Sequence, residues 1–165
     1  MWRRLKKAAV VFVVVVAVAF AAAQLVRPER TNPATDSTRT IQAYAGTALV
    51  AVLDRACGDC HSNATVWARY TQIAPLSWVI AGGVTRGRKA LNFSEWGAYS
   101  PDERRELLDV SCLDASDGSM PMRPYLLLRP EARLSAQDVA IICAAARQAG
   151  AKPASDTQPQ SRSPR

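Results

Sequence analysis

Residues 8–23, "AAVVFVVVVAVAFAAA", are sixteen consecutive uncharged apolar residues, and Leu25 and Val26 extend the run past Gln24 to nineteen. A helix that crosses a bilayer needs about 20 apolar residues, within a range of roughly 17 to 25. A secretory signal carries an apolar core of about 7 to 15. The length favours an uncleaved membrane anchor, with the small residues of "AFAAAQ" leaving cleavage by a signal peptidase as the alternative. On either reading Arg3, Arg4, Lys6 and Lys7 stay in the cytoplasm, and the chain beyond them lies across the membrane.

The anchor (or signal peptide) thus takes residues 1–26. Residues 27–40, "RPERTNPATDSTRT", are polar, hold two prolines, lack apolar periodicity and read as a linker. The stretch "KPASDTQPQSRSPR" is rich in Pro, Ser and Gln, so residues 151–165 are expected to be a disordered tail. That leaves 41–150 as the folded domain. The chain carries a formal charge of +7, yet residues 41–152 hold 12 Lys/Arg against 11 Asp/Glu. The basic excess sits on the flanks and not on the domain, which excludes a nucleic-acid partner as the expected one.

Within the domain the patterns are helical. Leu49, Val52, Leu53 and Ala56 recur at i, i+3, i+4 and i+7, one stripe of an amphipathic helix that leads into Cys57. Pro75 opens a short helix, "PLSWVIAGG", expected to end at Gly82 and Gly83. In "SPDERRELLDVSCLDA", Ser100 is an N-cap, Pro101 takes the first helical position and Glu103 completes a capping box. In "LSAQDVAIICAAARQAG", Ser135 caps a last helix with Asp138 three residues on, an apolar stripe of Val139, Ile142, Cys143 and Ala146, and Gly150 at its end. No segment alternates as a strand does, so the expected class is all-α, preceded by one N-terminal transmembrane helix.

The stretch "RACGDCHSNATVW" holds Cys57, Cys60 and His61, the last being the only histidine. Two thiols three residues apart at a helix end can reach the two vinyl groups of one haem and form thioethers. A histidine immediately after them then stands under the iron, which is why C-x-x-C-H reads as c-type haem attachment. Export from the cytoplasm and the all-α character agree with it. A second axial ligand has to come from elsewhere, and "DGSMPMRPY" offers Met120 in a Met-Pro pair that presents a thioether from a loop. Met120 is the preferred ligand; Met122, Lys89 or an open position are the alternatives, and packing of both methionines is the bland reading. Cys112 and Cys143, one on each of the last two helices, are disulfide candidates in an oxidising compartment.

The same residues admit other chemistry. Cys57, Cys60, Cys112 and Cys143 could form a tetrahedral zinc site, which would leave His61 and the Met-Pro loop without a role. A thioredoxin-type dithiol needs a βαβ setting that is not present. Sequence neighbours such as Cys60 and His61 are poorly placed as nucleophile and base, and no carboxylate pair stands out, so no catalytic residue is expected.

Four blocks in fixed order carry a further resemblance. They are "QLVRPERTNP", "CGDCHSNATVWARYTQIAPLSW", "GRKALNFSEW" and "GSMPMRPYLLLRPEARLSAQDV". With them the chain, from about Gln24 to Gln148, resembles the bacterial haem-binding domain family, membrane-anchored proteins with a cytochrome c-like domain. The resemblance implies one haem c held covalently by Cys57 and Cys60, His61 as proximal ligand and Met120 as distal ligand. Two departures stand out. "WARY" replaces the family's "WPWY" at Ala68 and Arg69, and Arg129 stands where relatives often have histidine. Arg129 could still hold a haem propionate, as could Arg86, Arg88 and Lys89, whose alternative role is solvated surface charge. Trp67, Trp78, Phe93 and Trp96 line either the haem pocket or the core.

The expectation is therefore a membrane-anchored, monohaem c-type cytochrome domain on the outer face of the bacterial cytoplasmic membrane, with electron transfer to redox proteins of that membrane as its task. A haem sensor or enzyme with a labile sixth ligand is the second reading. A haem-free zinc or disulfide module is the third.

Overall fold

The computed structural model describes residues 2–150. The tail at 151–165 and Met1 lie outside the described residues. Among the described residues the protein is all-α, with seven helices and no strands.

Helix α1, Trp2–Ala23, contains the apolar run, and none of its residues is buried. Its 22 residues span about 33 Å at 1.5 Å per residue, enough to cross a hydrocarbon layer of about 30 Å. Helix α2, Thr47–Ala56, buries Leu49, Val52, Leu53 and Ala56, the stripe expected from their spacing. A single turn, α3 (Gly58–His61), follows at once. Helix α4 is Leu76–Ala90, α5 Pro101–Asp117, α6 Arg123–Leu128 and α7 Ala136–Gly150. Short 3-10 turns connect them.

Sequence signals account for most boundaries. Ser100 Oγ accepts the Glu103 N–H at 3.3 Å while Glu103 Oε2 accepts the Ser100 N–H at 2.7 Å, the reciprocal box that starts α5. Ser135 and Asp138 repeat the arrangement at α7, at 2.8 Å and 3.2 Å. Helix α5 ends on Gly118, whose φ of 74° is the left-handed value that glycine adopts without a steric penalty. One boundary differs from expectation. Helix α4 does not stop at Gly82 and Gly83 but runs on to Ala90, because glycine weakens a helix by only about 1 kcal/mol and this face is held by packing against α3.

The core joins Ile41, Leu49, Val52, Leu53, Leu91, Phe93, Trp96, Leu108, Ile142 and Ala146. Helices α5 and α7 form its most extensive interface. A disulfide between Cys112 and Cys143 crosses that interface, closing a sequence separation of 31 residues.

The segment after α1 is pinned to the domain. Gln24 exchanges two hydrogen bonds with the Ala74 backbone, accepting its N–H at 3.0 Å and donating to its carbonyl at 3.3 Å. Trp78 Nε1 donates to the Val26 carbonyl at 2.8 Å and Arg30 donates to the Thr71 carbonyl at 3.0 Å. Arg88 reaches the carbonyls of Thr31 and Ser62, both at 2.8 Å, and the Asn32 side chain at 3.0 Å.

Candidate cofactor site

Cys57 closes α2, and the next turn is helical: the N–H groups of Cys60 and His61 both bond to the Cys57 carbonyl, at 3.1 and 3.0 Å. Residues three and four apart on a helical turn project from one side, so the spacing of Cys57, Cys60 and His61 sends all three to a common face. The turn is locked from behind. Ser62 Oγ donates to the Gly58 carbonyl at 2.7 Å, Asn63 N–H donates to Ser94 Oγ at 2.9 Å, and the Asp59 carboxylate accepts from the Val66 N–H at 3.0 Å and the Tyr125 hydroxyl at 2.9 Å.

Helix α4 comes very close to this turn. A Cβ on Gly87 would stand 2.5 Å from the Cys60 carbonyl oxygen and 3.2 Å from Cys60 Cβ. Glycine at 87 is a steric requirement of the approach, whereas a Cβ on Gly83, one turn earlier, would meet nothing.

A cavity of about 240 Å³ opens on the common face. Its walls include Cys57, Cys60, His61, Gly87, Met120 and Met122. A second cavity of about 160 Å³ adjoins it, walled by core residues such as Leu53, Phe93 and Ile142. The two share Cys57, His61, Ala90 and Met120. A flat macrocycle seated across both cavities would meet the Cys57, His61 and Met120 side chains that border them.

The donor set fits such a group. His61 Nδ1 lies 3.1 Å from the Leu91 carbonyl oxygen. A carbonyl can only accept, so Nδ1 carries the proton and Nε2 keeps its lone pair for a metal. Phe93 packs against the ring at 6.1 Å between centroids. Burial pushes the Cys57 thiol up to about 12, with the neighbouring Cys60 adding to the effect. Burial also raises Cys60, followed by the charge of Asp59. Both thiols are thus shifted away from the acidic range of a redox-active cysteine. The four-cysteine zinc set is not assembled either, because Cys112 and Cys143 are bonded to each other in the α5–α7 interface, and among the described residues no group of three or more metal-binding side chains converges.

The other sequence candidates separate clearly. Met120 lines both cavities and Met122 only the first. Lys89 is exposed and lines neither. Of the basic residues, Arg86 lines the first cavity. Arg88 is committed to the segment after α1, with Thr65 Oγ1 as a further partner at 2.8 Å. Arg129 is committed to ion pairs with Glu131 at 2.8 Å and Asp59 at 3.4 Å. Phe93 and Trp96 belong to the core, whereas Trp67 and Trp78 hold the segment after α1, Trp67 by donating to Asn32 Oδ1 at 3.1 Å.

Three contributors escape a reading by residue type. The Leu91 carbonyl carries no sequence signal. Gly87 is visible only as the partner of Gly83 at helical spacing. Tyr125 sits in the first cavity wall and bonds Asp59, one of the two residues between Cys57 and Cys60.

Comparison with curated proteins and with solved structures returns no match. A family model described as haem-binding domain matches residues 18–148, most of the chain, and spans the C-x-x-C-H turn, α4 and the Met120 loop. By that match the chain belongs to the haem-binding domain family.

Proposed function

We propose that this protein is a monohaem c-type cytochrome that carries electrons at the outer face of a bacterial cytoplasmic membrane, with α1 as its single-pass anchor. The observation that carries the reading is the cavity wall that brings Cys57, Cys60, His61 and Met120 to one face. Bound haem would supply one-electron exchange at its iron. Cys57 and Cys60 would hold it by thioether links to their neutral thiols. His61 would ligate through Nε2, its ring fixed by the Leu91 carbonyl. Met120 would ligate through its thioether, which favours the reduced iron and raises the potential. The apolar walls from α2, α4 and α7 would keep water from the site. Partners are then redox proteins of the same membrane, and no residue has a catalytic role.

One observation favours the second reading, a sensor with a labile sixth ligand: Met120 is 37% exposed. Two measurements decide. Thioether-bound haem survives denaturation, so protein from cells competent in c-type maturation should give a haem-stained band on a denaturing gel, and the double variant Cys57→Ala/Cys60→Ala should not. A colourless wild-type band would overturn covalent attachment. The reduced protein should show a sharp low-spin α band that carbon monoxide leaves unchanged; ready carbon monoxide binding would transfer the reading to the sensor.

A further inference from the structure

The clamp at the end of α1 determines what the neighbouring surface faces. Gln24 is the first polar residue after the apolar run, and it bonds back to the Phe20 carbonyl at 3.0 Å while holding the Ala74 backbone with both side-chain atoms. A flexible spacer is therefore missing at this point. The domain begins where the apolar helix ends, and Ala74 is held within hydrogen-bond distance of it.

The surface around this clamp is apolar. Leu25 is 83% exposed, Val26 63%, Ile73 51%, Trp78 40% and Val79 65%. Ile73 adjoins Ala74, and Trp78 holds Val26 through its indole N–H. The five residues continue the unburied apolar surface of α1 onto the domain. A tryptophan with its apolar rings exposed and its N–H satisfied suits the headgroup level of a bilayer, where tryptophan is enriched. Exposed aliphatic residues beside it suit insertion at the boundary between headgroups and acyl chains.

We propose that Leu25, Val26, Ile73, Trp78 and Val79 form a face that rests in the lipid interface at the C-terminal end of α1, so that the domain lies on the bilayer in one orientation. The proposal rests on the reading of α1 as a membrane span. Its occupant is the bilayer that α1 itself crosses, because the clamp leaves that bilayer adjacent to the face. The consequence is that the attachment turn and its cavity keep a fixed attitude to the membrane, which limits the directions from which a redox partner can approach.

The test is photolabelling of the full-length holoprotein in vesicles of a phospholipid carrying a diazirine near the top of one acyl chain, followed by peptide mapping. The expected adducts lie on α1 and also on the peptides holding Leu25 and Ile73 to Val79. Leu113 on α5, 66% exposed but outside these contacts, should stay unlabelled. The variant Ile73→Asp/Val79→Asp should lose the adducts of its own peptide by at least tenfold while those on α1 persist. Adducts confined to α1 would overturn the resting face and leave the anchor standing. Labelling of Leu113 to the same extent would overturn the face as a specific surface. A protein with no adducts on α1 would remove the anchor, and the face with it.

Discussion

His61 Nδ1 meets the carbonyl oxygen of Leu91 at 3.1 Å, and this contact decides which ring nitrogen faces the cavity. Leu91 is the residue that closes α4, and α4 is pressed against the His61 turn through Gly87. The tautomer of His61 is thus set by the same packing that forms the pocket wall. His61→Ala should keep the thioether links, and with them the stained band, while the low-spin spectrum gives way to a high-spin one. A variant with unchanged low-spin bands would remove His61 as the ligand.

Met120 and Met122 are distinguishable by position. Both line the first cavity, but only Met120 also borders the second, which His61 borders too. Its loop is pinned: Met120 N–H donates to the Asp114 carbonyl at 3.1 Å, just after the left-handed Gly118. Met120→Ala should abolish the methionine-to-iron charge-transfer band of the oxidised protein and lower the potential, and Met122→Ala should do neither. The opposite result would exchange the two roles.

How much of this was readable without coordinates depended on whether a side chain's role is local. The capping boxes at Ser100 and Ser135 and the stripe of α2 are local patterns, and the structure reproduces them. The meeting of the attachment turn with Met120, some 60 residues on, was suggested by haem chemistry and not by any periodicity. The sorting of the aromatic residues was out of reach. Trp67 and Trp78 read in sequence as pocket or core residues and instead hold the polar-flanked segment that follows α1. Their partners are Asn32 and a backbone carbonyl, which leave no pattern in a single chain. The run of α4 through Gly82 and Gly83 is hidden for a related reason: a glycine's propensity is a local quantity, and the packing of α4 against α3 that outweighs it is not.

Gly87 supplies a direct test of that packing. An alanine there would place its Cβ 2.5 Å from the Cys60 carbonyl oxygen, a backbone atom that cannot swing aside. Overpacking of this kind costs about 1–3 kcal/mol. Gly87→Ala should lower the unfolding free energy measured by chemical denaturation by that amount and reduce the yield of haem-stained protein. Gly83→Ala has open space for its Cβ inside the same helix and should be neutral or stabilising by up to about 1 kcal/mol. Equal effects from the two substitutions would show that helix propensity, not the contact with Cys60, decides.

The Cys112–Cys143 bond closes a loop of 31 residues between α5 and α7. For that length the chain-entropy model gives a stabilisation of about 3–4 kcal/mol. Cys112→Ser/Cys143→Ser should therefore lower Tm by roughly 10–20 °C while leaving the haem stain and the low-spin bands in place at low temperature, since neither sulfur lines the first cavity. Loss of covalent haem at full stability would instead give these cysteines a part in cofactor attachment.

Asp138 ties α2 to α7. Its carboxylate accepts the Ser135 N–H at 2.8 Å and pairs with Arg55 at 2.9 Å, and Arg55 in turn donates to the Glu131 and Arg133 carbonyls at 2.6 and 3.1 Å. Arg55 lies two residues before Cys57, so the cap of α7 and the entry to the C-x-x-C-H turn share one charged contact. The Ser135 backbone bond first, then the Ser135 hydroxyl and Arg55, hold the Asp138 carboxyl below its ordinary value near 3.8. A carboxyl depressed in the folded state stabilises fully above its unfolded pKa and loses that contribution as pH falls through the folded value. Asp138→Asn should therefore lower stability at pH 7 by a few tenths of a kcal/mol up to about 1, the scale of a solvent-facing charged pair. Its deficit against the wild type should shrink as pH drops below about 4, the unfolded aspartate range. Denaturation midpoints from pH 7 to pH 3 give the comparison. A gap that stays constant across that range would mean that the carboxylate's charge contributes nothing and that Asp138 acts through its shape alone.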